Sequence, residues 1–245
     1  MSQALIASIL AGSASGLGAL PILLFKVFPH CMRDGLLGFS SGVMIAASSI
    51  GLILPALEIG SLLEVSMGIL TGGIILALMD IFIPHYHSFN STEHIDAKAL
   101  RRAVLMIAAI VLHNIPEGLA VGIGYASGRP ETGLILAVAI GAQNAPEGLL
   151  VALPLKEKGI PPIKVVWYAL LSGLVEPVAA IAGILMIEIS KSLLPFSLAF
   201  AAGAMYYVVS AELIPESHGH GYEKVSTFGF LIGIIFIIVL DHSLS

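Results

Sequence analysis

HNIPEGLAVG, residues 113–122, and QNAPEGLLVA, residues 143–152, say nearly the same thing thirty positions apart. Each lies within an apolar run, and each places polar side chains at i, i+1 and i+4: His113, Asn114 and Glu117, then Gln143, Asn144 and Glu147. On a helix, i and i+4 share a face and i+1 neighbours i+4 at a spacing of three. All three side chains of a copy can therefore point at one spot. Pro116 and Pro146 have no N–H to donate, so the carbonyls of Leu112 and Ala142 become available to a ligand or to water. The glycines that follow, Gly118 and Gly148, let a neighbouring backbone come close.

The runs around these motifs set the solvent. Of 245 residues, 57% are hydrophobic and only 11% charged, with a mean hydropathy of +0.99. Water-soluble domains carry about 25% charged residues, so this chain is an all-α protein of the lipid bilayer. Hydropathy places eight transmembrane helices at about 3–26, 35–57, 61–84, 99–127, 131–155, 163–188, 192–215 and 225–243. Connections are short except for the loop at about 85–98, so residues 1–245 read as one polytopic domain. The first apolar run has no basic residue ahead of it, since Lys26 comes after, and it reads as a retained helix, not a signal peptide. Its Gly-Leu-Gly is a packing feature. The single cysteine, Cys31, permits no internal disulfide, and a net charge of −5 gives no reason to expect nucleic acid.

Of the eleven basic residues, nine share one face: Lys26, Arg33, Lys98, Arg101, Arg102, Lys156, Lys158, Lys164 and Lys224. Only Arg129 and Lys191 fall opposite. The positive-inside rule makes the first face cytoplasmic. The chain is then a multi-pass protein of the cell (inner) membrane with both termini extracytoplasmic.

Acidic residues inside the spans carry the chemistry. Glu176 in LSGLVEPVAA, residues 171–180, joins Glu117 and Glu147, again beside a proline. An ionised carboxylate at mid-helix costs about 2.5–3.5 kcal/mol, so three cost on the order of 8–10 kcal/mol unless neutralised. No lysine or arginine lies at comparable depth, which implies a cation arriving from outside. His113 with Glu117, Gln143 and Glu147 makes a mixed nitrogen and oxygen shell, suited to Zn2+, Fe2+ or Mn2+. A set without thiolate favours release. Two antiparallel copies facing one another are how many transporters build a mid-membrane site.

HNIPEGLAVG, QNAPEGLLVALPL, LSGLVEP and SAELIPESH (residues 210–218) together resemble the Zrt/Irt-like (ZIP) divalent metal transporters, close to the bacterial members. The resemblance spans essentially the whole chain. It implies a 3+2+3 inverted-repeat arrangement, outward termini, and movement of Zn2+, with Fe2+, Mn2+ or Cd2+, into the cytoplasm as transported substrate, with no cofactor. It implies a primary site at His113, Glu117, Gln143 and Glu147. In some members a second site matches Asn114, Glu117, Asn144, Glu147 and Glu176. A relative with two bound metals has aspartate where this chain has Asn144, so one tightly held ion is expected. Homodimers are a family expectation, and one bundle is expected to move against another in alternating access.

Glu212, Glu216 and His218 read as an exit path on the cytoplasmic side. Two other groups, His85, His87, Glu93, His94 and Asp96 in loop 85–98, and His220, share that face. Glu58, Glu64 and Asp241 read as an entrance or as ordinary interfacial charges, and Asp80 as interfacial. The serines of GFSSGVMIAASSIGL, residues 38–52, read as helix-packing positions. Two rival readings are an intramembrane metal-dependent hydrolase and a metal-gated channel. The hydrolase lacks the general-base glutamate of HExxH, because that position is Asn114.

Overall fold

The computed structural model describes residues 1–25, 28–82, 95–157 and 159–244, with backbone alone for 80, 82 and 95–110. Lys26, Lys158 and the loop residues His85, His87, Glu93 and His94 lie outside the described residues, as do the side chains of Asp80, Asp96, Lys98, Arg101 and Arg102. Among the described residues the chain forms eight helical stretches. They are α1 Ser2–Leu24, α2 His30–Ile59, α3 Leu62–Phe82, α4 Ile95–Ala126, α5 Pro130–Glu157, α6 Pro162–Ile189, α7 Lys191–Ser217 and α8 Glu223–Leu244. All except α4 are long and apolar enough, over their described residues, to cross a membrane. Leu63, Ile81 and Phe228 are 73%, 74% and 66% exposed, an outward apolar surface that lipid would cover.

The helices interrupt themselves where the sequence analysis expects smooth spans. α1 breaks at Leu20 before Pro21, and α6 at Leu174 before the Glu176–Pro177 pair. α2 and α7 each contain a five-residue π-helical turn, Ser49–Ile53 and Val209–Leu213. Each lies just ahead of a proline, Pro55 or Pro215. Proline cannot donate to the carbonyl four residues back, and a π turn shifts the bonding by one residue. Accordingly Leu54 N–H reaches Ser49 O and Ile214 N–H reaches Val209 O. Turns of this type occur often at functional sites.

Packing sorts the helices into two groups of four. α1 lies against α5 and α6, and α4 against α6 and α5; α2 lies against α8, and α3 against α7. The groups meet where α2 touches α5 and α7 touches α4. Glycine sets the closeness. A Cβ on Gly148 would fall 1.9 Å from Ser15 O, and one on Gly118 would fall 2.3 Å from Glu176 O. The glycines of the two Pro-Glu-Gly motifs thus bring α1 against α5 and α6 against α4, as their position predicts. Gly18 of the Gly-Leu-Gly segment does the same against Ala145 O at 1.8 Å.

Candidate metal centre

α4 and α5 continue through Pro116 and Pro146, so the motif side chains keep their helical spacing. Asn114, Glu117, Gln143, Asn144, Glu147 and Glu176 are all buried, and the His113 side chain is 14% exposed. Amides stitch the site together. Gln143 Nε2 donates to Glu117 Oε1 at 2.7 Å, from α5 to α4. Asn144 Nδ2 donates to Glu176 Oε1 at 2.5 Å and to Ala11 O at 3.1 Å. Asn114 Nδ2 donates to Ser172 O at 2.8 Å. The two asparagines are therefore placed alike, one against α6 and one against α1.

What is left over is one-sided. Glu117 Oε2, Gln143 Oε1, Asn144 Oδ1, Glu147 Oε1 and Glu176 Oε2 are buried without a hydrogen-bond partner among the described residues. All five are oxygen acceptors. A buried polar atom left unpaired costs about 1–3 kcal/mol, and here the deficit is of positive charge or donors alone. The three carboxylates are close enough to interact electrostatically. Among the described residues the arginine–carboxylate pairs are Arg33–Glu216 and Arg129–Glu58, at the ends of helices and away from this cluster.

The fourth expected ligand, His113, lies within electrostatic reach of Glu147 and also reaches α7. His113 Nε2 lies 3.0 Å from Glu212 Oε1, which sits in the π turn of α7. Among the described residues no group of three His, Cys, Asp or Glu side chains already converges as a metal would require. Glu117 and Glu176 instead accept from amides, and His113 meets Glu212.

The expected exit residues divide. Glu212 meets the centre, whereas Glu216 pairs with Arg33. His218 Nδ1 lies 2.9 Å from Ser217 Oγ and 3.0 Å from Ile214 O, closing the end of α7. Glu58 pairs with Arg129 at 2.8 Å. Glu64 accepts from the N–H and hydroxyl of Ser61 at 2.7 and 2.9 Å, an N-terminal capping arrangement for α3. The direct reach of Glu212 to His113 has no signal in the sequence around His113.

Residues 90–241 match the family model described as ZIP Zinc transporter. The chain belongs to the ZIP family. It is 42% identical to zinc transporter GufA of Myxococcus xanthus, with both chains covered in full. It is 36% identical to zinc transporter ZIPB of Bordetella bronchiseptica, over 95% of this chain and 78% of that one. Zinc transporter ZupT of Chlorobaculum parvum is 33% identical, over 95% and 94%. ZIP membership places the chain among transporters and not among enzymes, and the hydrolase reading is set aside. The helical interruptions, the paired Pro-Glu-Gly motifs and the acceptor-rich interior are thus those of a multi-pass membrane transporter.

Proposed function

We propose that this ZIP-family protein carries Zn2+ across the membrane into the cytoplasm, through a site between α4 and α5. The observation that carries the reading is the set of five buried oxygen atoms with no donor around carboxylates that no lysine or arginine pairs with among the described residues. A dication supplies what those atoms lack. His113, Glu117, Gln143 and Glu147 form the primary shell, with Asn114, Asn144 and Glu176 beside it. The mixed nitrogen and oxygen donors also admit Fe2+, Mn2+ or Cd2+, and with Asn144 neutral one ion is held tightly. The relatives' names as zinc transporters support zinc as the cargo.

The route follows the helix groups. In a 3+2+3 inverted repeat with outward termini, α1, α4, α5 and α6 move against α2, α3, α7 and α8, exposing the site to each side in turn. The His113–Glu212 contact crosses that boundary. Glu212 holds the imidazole while the site is unfilled, and takes part in release when the ion moves toward the cytoplasm. Purified protein in liposomes tests this. Zn2+ entry should saturate with concentration, and Glu147→Ala should abolish it while the protein stays inserted and monodisperse. Unsaturated conduction would replace the carrier with a channel, and normal uptake by the variant would refute the site.

A further inference from the structure

α2 and α8 run side by side in the same direction, and glycine lets their backbones touch. A Cβ on Gly38 would fall 2.1 Å from Ser226 O, and one on Gly229 would fall 2.3 Å from Gly35 O. Larger side chains flanking this contact stand up as walls. Leu36 and Phe39 of α2, with Val225, Phe228 and Ile232 of α8, line a groove of about 480 Å3 on the outside of the bundle. Among the described residues its lining is apolar except for Lys224 at one end.

We propose that this groove binds an anionic phospholipid, its phosphate on Lys224 and the upper part of an acyl chain between the helices. The depth fits. α8 has 22 residues, about 33 Å of helix, which just crosses a hydrocarbon core of about 30 Å. Lys224, its second residue, therefore stands at headgroup level. Tyr222, 44% exposed immediately before the helix, is a residue type enriched at that level. From Lys224 to Ile232 the groove descends eight residues, roughly 12 Å toward the hydrocarbon. A cation at the polar boundary followed by an apolar trough repeats the order of a phospholipid, charge first and chain below.

The charge is available. No carboxylate pairs with Lys224 among the described residues, and its neighbour Glu223 does not line the groove. Arg33, the other described basic residue at this end, is taken by Glu216. The basic residues assign this end to the cytoplasm, where the leaflet carries anionic lipid. Free phosphate would meet the ammonium and leave the trough uncovered, and a zwitterionic lipid would bring a second cation beside Lys224. The groove shares no residue with the central cluster and does not depend on transport.

Native mass spectrometry of the full chain in detergent micelles tests the proposal, with phosphatidylglycerol and phosphatidylcholine of identical acyl chains as probes. The parent should retain phosphatidylglycerol about fivefold over phosphatidylcholine, the selectivity that one lysine gives beside an anionic headgroup. Lys224→Gln, a change at an exposed position, should abolish that preference and leave lipid-free thermal stability unaltered. Ile232→Trp, at a position 58% exposed, fills the trough without touching the lysine and should weaken phosphatidylglycerol retention. Excess inorganic phosphate should not displace the lipid. Equal retention of the two lipids by the parent, or a preference that persists in Lys224→Gln, would overturn the proposal. So would retention untouched by Ile232→Trp or abolished by phosphate, because the ammonium would then act without the groove.

Discussion

Glu147 is the carboxylate that the amides leave alone. Glu117 accepts from Gln143 and Glu176 accepts from Asn144, whereas Glu147 Oε1 is buried with no partner among the described residues. Each amide gives its carboxylate a donor without adding charge, which is the basis for proposing one tightly held ion and not two. Asn144→Asp restores a negative charge beside Glu176, and equilibrium dialysis with metal analysis should then find two tightly bound Zn2+ per chain in place of one. Protons compete for the same atoms. Ordinary carboxyl and imidazole groups titrate at about 4.3 and 6.5, and ligands bind only when deprotonated. Zn2+ affinity should therefore fall as external pH drops from about 7.5 to 5. Affinity that stayed flat over that interval would remove His113 and the carboxylates from the shell. These residues were legible in the sequence because the motif occurs twice. The His113–Glu212 contact was not, since nothing local in α4 announces a partner supplied by α7.

Among the elements, the glycines and the π turns shape the site. Gly148 stands where any side chain would overlap the Ser15 carbonyl, so Gly148→Leu must push α1 away from α5. Overpacking of this kind costs about 1–3 kcal/mol, and it acts where Asn144 reaches Ala11 O. The variant should unfold at lower temperature than the parent and lose Zn2+ binding with it, as thermal denaturation in detergent with and without Zn2+ would record. Hydropathy located the helices well because burial in lipid asks only for apolar length. It missed the break at Leu174 and the π turns of α2 and α7, because a shift of one backbone hydrogen bond leaves the hydrophobic pattern unaltered. Pro55 and Pro215, each closing an Ile-Leu-Pro or Leu-Ile-Pro stretch, were the marks of those turns. The turn in α7 is what presents Glu212 to His113.

At the scale of the molecule, two groups of four helices touch along a polar seam. Ser40 Oγ donates to Gln143 O at 3.2 Å from α2 to α5, His113 meets Glu212 from α4 to α7, and Arg129 meets Glu58 at the far end. The first two are buried or nearly so. The last is more than half exposed on both sides, and such pairs contribute about 0–1 kcal/mol, weak enough to break during a movement of one group past the other. Apart from the two motif helices, α4 and α5, the pairing of helices was beyond the sequence, because lipid-facing and protein-facing apolar residues read alike when all-round hydrophobicity is the rule. In the proposed function, carboxylates with no lysine or arginine partner among the described residues receive a dication between α4 and α5. Anomalous scattering at the zinc edge from Zn2+-soaked crystals tests it most directly. One strong peak should appear within bonding distance of His113, Glu117, Gln143 and Glu147, with His113 released from Glu212. Crystals that hold zinc only elsewhere, with those four side chains unmoved, would contradict the account.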